Sequence, residues 1–311
     1  MKEKQLYKNI PIIVLTASLF VLPAGANEKI QYKLNLEKGQ SYYVRIISDS
    51  NVIQEMTGNE TVTQASSGFG YSFDVNEVDE KGNGWVDCTI DWVKLDQKSP
   101  TMDYKYDSAE QNSPVPPEAQ SVAIFLGERF TVKISPQGHV EDFKDIENLS
   151  KKLRNNIPEG PDKEQMLQYL KQEQIKNFLK ERYFTYFDIY PDKPVGIGDS
   201  WSRIFLFKMQ PFITENKWTL KEQHAGTAII EENSIIKSDP NATQNSEFDM
   251  KVEMSGTGNR QIEIQESTGQ ILSSKTIGNM SGQIQAGPKT LLIKTHGVTT
   301  FEMTKVKPKK L

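Results

Sequence analysis

The sequence predicts an α+β chain dominated by β structure: large curved antiparallel sheets in two related halves, with a central helical pair. Three observations lead there. Apolar and polar residues alternate with period two along most of the chain, the pattern of strands with one dry and one wet face. Glycine-bearing turns separate those strands, and one-sided alternation with short turns belongs to antiparallel sheets. Only the middle, over residues 141–157 and 162–187, shifts to steps of three and four, the spacing of amphipathic helices.

Taken in order, the chain opens with Lys2, Lys4 and Lys8, an apolar run over 10–22, and Ala24-Gly25-Ala26. A positive head, a short apolar middle and small residues before the cut describe a signal peptide, 1–26, cleaved after Ala26. The run is shorter than the about 20 residues a spanning helix needs. The expectation is export, to a periplasmic or extracellular destination, with no transmembrane segment in the mature chain.

An N-terminal β half follows, 27–140. Ile30, Tyr32, Leu34 and Leu36 alternate with polar residues, as do Val86, Cys88, Ile90 and Trp92. A proline-rich loop over 113–117 reads as exposed. The helical segment, 141–190, holds the two helices, punctuated by Pro158, Gly160 and Pro161 and closed by Pro191 and Pro194. In the C-terminal β half, 191–311, Phe248, Met250, Val252 and Met254 alternate, then Phe301 and Met303. The lysine-rich tail over 305–310 reads as a solvated terminus.

The two β halves share short features. Lys38-Gly39-Gln40-Ser41 opens one and Ile197-Gly198-Asp199-Ser200 the other; each later carries a hairpin tipped by glycine, Gly138 and Gly269. Duplication and chance both produce matches this short.

The stretch Tyr190-Pro191-Asp192-Lys193-Pro194-Val195-Gly196-Ile197-Gly198-Asp199-Ser200-Trp201, with the opener at Lys38 and the Ser267-Thr268-Gly269 hairpin, resembles a family of exported bacterial proteins of unknown function. The resemblance implies a β-rich periplasmic or secreted protein with no assigned activity and no catalytic residues to carry over. It implies a structural motif: Gly198 makes a turn, Asp199 or Ser200 bonds local backbone, and Trp201 starts a strand and packs inward.

Composition narrows the function classes. The 311 residues include 14 Phe, 11 Tyr and 4 Trp, enough for a core in one large or two small domains. Mean hydropathy is −0.57 and net charge −4. The leader carries three lysines against Glu3, so the remainder is near −6. A mildly acidic chain is a poor partner for nucleic acid, whose phosphates need clustered positive charge. The one cysteine, Cys88, pairs with nothing in the chain and alternates with apolar neighbours, as a small buried residue does.

No chemistry-bearing constellation emerges. His139, His224 and His296 are scattered, without ligand spacing to a second donor, so no metal or cofactor is expected. Residues 74–84 are acidic but lack the oxygen ladder of a calcium loop. Ser234 and Lys237 have the spacing of a Ser-x-x-Lys nucleophile, yet their flanks read as strand, which puts them on opposite faces. The expectation is a non-enzyme.

Helices of 17 and 26 residues would span about 25 and 39 Å at about 1.5 Å per residue, enough to cover one sheet but not two, so the second folds back on itself, pairs with the first or leaves a groove. This motivates an envelope protein binding an apolar or lipid-like ligand in a half-barrel, with Val86, Ile90, Trp92, Phe248, Met250, Val252 and Met254 as candidate lining. Periplasmic carriers of lipids and lipoproteins are an analogy at the level of architecture. The alternatives are an interaction module docking another envelope protein, and an uncharacterised secreted hydrolase.

Overall fold

The computed structural model describes residues 29–110, 114–157, 163–209, 212–240 and 250–306. The leader with Ala26, Phe248, part of the proline-rich loop and the lysine tail beyond 306 lie outside these residues.

Twelve strands form one antiparallel sheet. Those of the first half are β1 (Ser41–Met56), β2 (Asn59–Val78), β3 (Gly84–Lys98), β4 (Asp103–Asp107), β5 (Arg129–Ile134) and β6 (Val140–Lys144). Those of the second are β7 (Ser200–Leu206), β8 (Phe212–His224), β9 (Thr227–Ser238), β10 (Met250–Gln265), β11 (Ile271–Ala286) and β12 (Lys289–Val306). Their spatial order is β6-β5-β3-β2-β1-β12-β11-β10-β9-β8-β7, with β4 also on β3. The second half is a meander, the first is one except that β4 and β5 both pair with β3, and β1 joins β12 through an uninterrupted ladder from Ser41↔Val306 to Met56↔Leu291. The chain between β6 and β7 therefore connects opposite edges of the sheet.

That connection holds α2 (Ile146–Asn155), α3 (Lys163–Tyr169) and α4 (Gln172–Leu179), after a single turn, α1 (Gln120–Ala123), between β4 and β5. The helices are shorter than their periodicity suggested. Residues 140–144 pair with β5 as a strand, which moves the first helix start to Ile146. The second is broken at Lys171, whose ψ of 148° is extended. The Leu170 carbonyl freed there accepts the Ser150 hydroxyl at 2.6 Å. A π-helical turn, Lys180–Phe184, ends the segment. With its wider spacing it lets Tyr183, Phe184 and Phe187 all turn into the core.

The core fills only the end of the sheet where β1 begins. Tyr42, Val44, Ile46, Phe69, Tyr71 and Phe73 face inward from β1 and β2, meeting Val86, Cys88 and Ile90 of β3. Phe187 stacks on Phe73 at 5.7 Å and meets Phe301 edge-on at 5.8 Å. Burial pushes the Cys88 thiol well above its ordinary pKa, consistent with a packing role.

Residues 30–36 are not a strand of the sheet. Tyr32, Leu34 and Leu36 are buried as their alternation requires, but only Ile30 forms a bridge, to Val195. Alternation reports a one-sided environment rather than a hydrogen-bond ladder. The segment is a strap across the packed end: Leu34 N donates to Pro136 O and Asn35 N to Thr268 O, both at 2.8 Å. Both predicted hairpin tips dock here. A β-carbon on Gly138 would lie 1.8 Å from the Phe187 carbonyl oxygen, and one on Gly269 1.9 Å from that of Lys33. With φ of +86° and +67°, both positions favour glycine.

Candidate functional site

Beyond the packed end the long central strands continue, and among the described residues no helix lies against them. Side chains alternate across a strand, so the face that carries the core can be followed outward by register. On β1 it passes from Ile46 to Ser48, Ser50 and Val52; on β12 from Phe301 to Thr299, Gly297, Thr295 and Ile293. On β11 it carries Thr276, Gly278, Met280, Gly282 and Ile284, and on β10 Gly258, Gly256, Met254 and Val252. None of these positions is charged. The opposite face of the same stretches bears Asp49, Glu55, Lys237, Lys251, Glu253, Lys275 and Lys294.

One row is nearly bare. Ala65, Ser50, Gly297, Gly278, Gly258 and Ser234 lie side by side on β2, β1, β12, β11, β10 and β9. At about 4.8 Å between strands the row runs about 24 Å across the sheet. It is the floor of a shallow trough. The core stands on one side; on the other stand Val52, Met280, Ile236 and Met254, of which Met254 is buried and the rest half-buried. Small residues are what let this floor stay low; β-carbons at Gly278 and Gly297 would meet nothing closer than 3.9 and 3.4 Å.

A polar cluster closes the β9 end. Glu232 and Arg260, 6% and 5% exposed, lie 3.5 Å apart. The Glu232 carboxylate accepts Asn216 Nδ2 and Trp218 Nε1, each at 2.9 Å, and the Ser234 hydroxyl at 3.0 Å. Arg260 Nε donates to Ser274 Oγ at 2.9 Å, and its guanidinium lies over the Tyr186 ring. Buried charges need such pairing. Asn216 Oδ1 is buried without a hydrogen-bond partner among the described residues. Nothing in the period-two pattern marked this cluster, although two charged residues at inward positions of otherwise apolar strands were the available signal.

The candidate lining is divided. Val86 and Ile90 are fully buried in the core. Trp92 sits on the opposite face: a bulge at Gly70/Tyr71 pairs Tyr71 with Ile90 but Gly70 with Trp92. The extra residue, Asp91, reverses the alternation and sends Val93 inward. Trp92 then lies beneath the Arg45 guanidinium, and its Nε1 donates to Asp107 at 2.8 Å. Val252 and Met254 belong to the trough's uncharged face. Met250 begins β10, its side chain outside the described residues, as is all of Phe248.

The remaining motifs take ordinary structural places. Ser234 and Lys237 fall on opposite faces of β9. His139 pairs with Asp188 at 2.9 Å, His296 contacts Asn279 at 2.8 Å, and His224 is exposed. Gly198 makes a turn with φ +92°. Asp199 Oδ2 accepts Gly196 N at 3.0 Å, and Trp201 Nε1 donates to Ile189 O at 2.8 Å. A second opening, an apolar cleft of about 240 Å3, lies between residues 121–125 and α3 and α4, lined by Phe125, Met166, Leu170, Phe178 and Met209. Among the described residues, no helix is long and apolar enough to cross a membrane, and no three His, Cys, Asp or Glu converge as a metal site.

The chain is similar to several solved structures. A lipovitellin structure, titled for its lipid–protein interactions, overlaps 88% of this chain at 9% identity and TM-score 0.46; the overlap spans 26% of that chain. OccK5 (OpdH) of Pseudomonas aeruginosa overlaps 87% of this chain and 99% of its own at 8% identity and TM-score 0.27. DynF, from the dynemicin biosynthesis pathway of Micromonospora chersina, overlaps 92% and 88% at 8% identity and TM-score 0.22. These overlaps are too loose to bear on function. No curated protein matches the sequence. A family model does match, over residues 81–271, and the chain belongs to that family, described as a family of unknown function (DUF6263).

Proposed function

We propose that the protein is an exported, non-enzymatic binder that seats an apolar, lipid-like ligand in the trough of its open sheet. The observation that carries this reading is the uncharged inner face: among the described residues no layer covers the outer stretch of the central strands, yet no charge occupies it. A surface shaped only for water would carry charges there, as the opposite face does. Val52, Met280, Ile284, Ile293 and Val252 give this uncharged face the apolar contacts a ligand would use. Hydroxyls of Ser48, Ser50, Thr276 and Thr299 suit a ligand with some polar character, and the methionines at 254 and 280 adapt to a flexible chain.

Export rests on the leader. The absence of catalysis rests on the polar cluster, whose charges already bind one another. A membrane-spanning barrel presents an apolar outer band; here the outer face is charged and the sheet has two free edges. We also read the sheet as two related halves, since β1 to β6 and β7 to β12 progress across it in the same direction.

The test is native mass spectrometry of the protein purified from its own cell envelope. The expected result is a ladder of lipid-sized adducts that Gly278→Glu abolishes. Protein that emerges without adducts and takes up no long-chain lipid from mixed micelles overturns the reading.

A further inference from the structure

The two edges of the sheet differ in a way the ligand reading does not use. One edge is guarded: β6 carries Glu141, Asp142 and Lys144, and β4, which covers the outer part of β3, carries Asp103, Lys105 and Asp107. Charged, short and bulged edge strands are how sheets avoid pairing with other chains. The other edge, β7, reads Ser-Trp-Ser-Arg-Ile-Phe-Leu. Its one charge, Arg203, turns inward to Asp188 and the Tyr190 carbonyl. Ile204 and Leu206 are 72% and 58% exposed, the two most exposed large apolar side chains of the described chain.

The backbone at this edge is set out for pairing. Leu220 N donates to Asp199 O and Phe207 N to Phe212 O, so the odd-numbered residues of β7 bond β8. By the alternation of an antiparallel ladder, Ser200, Ser202, Ile204 and Leu206 aim their N–H and C=O groups away from the sheet. The same four side chains lie on the outer face, where Ile213 of β8 stands beside Leu206 and Glu215 beside Ile204.

We propose that β7 pairs antiparallel with β7 of a second copy of this chain about a two-fold axis, making a dimer with one continuous sheet. The strand is complementary to itself. With Ile204 opposite Ile204, Leu206 faces Ser202 of the other copy, and Arg203 faces Phe205, so no like charges meet. The guarded edge excludes the alternative of β7 on β6, a head-to-tail contact that would propagate as a filament; only the closed dimer remains. Seven residues give about 23 Å of edge, a single ladder rather than the broad patch of about 800 Å2 per partner that a standard interface buries. The dimer is therefore weak and concentration-dependent.

Sedimentation equilibrium over a wide concentration range tests this, alongside cysteine cross-linking. In the proposed register the two Ile204 Cα atoms are about 5.5 Å apart, within the reach of a disulfide. The expected result is a monomer–dimer equilibrium that Ile204→Lys shifts fully to monomer without changing the melting temperature. Ile204→Cys should cross-link to a dimer under mild oxidation, while Ser66→Cys, remote from the edge, should not; Cys88 is buried and silent. Ser202→Lys provides a second, independent edge charge. A wild-type chain that stays monomeric throughout, including one whose edge instead captures an extended segment of another protein, overturns the proposal. So does a dimer that both lysine variants leave intact.

Discussion

The inner half and the outer half of the same strands follow one periodicity and serve two ends. Over its first residues β1 turns Tyr42, Val44 and Ile46 inward, against the aromatic ends of the helical segment; further along it turns Ser48, Ser50 and Val52 to the same side. On β12, Phe301 and Met303 give way to Thr299 and Gly297. What changes is side-chain size, not the alternation or the absence of charge. A face can thus be kept out of the polar pattern of a surface without being built as a core. Large residues are needed where a second layer must be gripped, and small ones where the face must stay open.

Four experiments would break or sharpen this contrast. The largest effect is expected in the packed half. Phe187→Ala removes a ring held between Phe73 and Phe301 and should cost about 3–5 kcal/mol in chemical denaturation. A loss below about 1 kcal/mol would mean that the helical segment does not anchor the core.

At the boundary, Glu232→Met leaves Arg260 buried without its counter-charge. It should destabilise by about 3–5 kcal/mol, with much of that recovered in the Glu232→Met/Arg260→Met double variant. Additive losses would show that the two residues act separately.

In the open half, Gly278→Glu should change stability by no more than about 0.5 kcal/mol, because space is available above it, while abolishing lipid adducts. Its unfolding curve and native mass spectrum together separate folding from binding; a large stability loss would place Gly278 in a packed layer.

The smallest effect concerns the strap. The hydrogen bond from Lys29, aided by Gly196 N, holds the Asp199 carboxyl below its usual pKa. A lowered folded-state pKa stabilises above the ordinary carboxylate value of about 4 and is lost as pH falls through the lower one. The protection of Ile30 N, bonded to Val195 O, against hydrogen exchange, taken relative to the intrinsic rate at each pH, should therefore fall slightly in acid beyond the change at Tyr71 N in the core. Equal changes at both sites would remove Asp199 from the anchoring of the strap.

Much of this was legible in the residues. Alternation located β3, β10 and β12, the glycine tips at 138 and 269 marked real hairpins, and Cys88 is buried as its neighbours implied. The reading failed where an environment depends on a partner far away in the chain. Ile30, Tyr32, Leu34 and Leu36 alternate because one side meets the core, and nothing local says that no ladder forms. Trp92 was misplaced because the bulge that reverses it depends on how β3 registers against β2. The helix of 26 residues is broken where Ser150, twenty residues earlier, satisfies a carbonyl.

By itself the sequence determined an antiparallel β-rich chain with one-sided strands and a helical interruption, because polarity period and turn chemistry are carried by neighbouring residues. Only the tertiary structure decided that β1 meets β12 and that six small residues from separate strands fall into one row. It alone brought Glu232 to Arg260 and left β7 as a bare edge. Those features are set by strand registers spanning up to 265 residues of chain, from Ser41 to Val306, and a register is fixed by all the packed side chains at once.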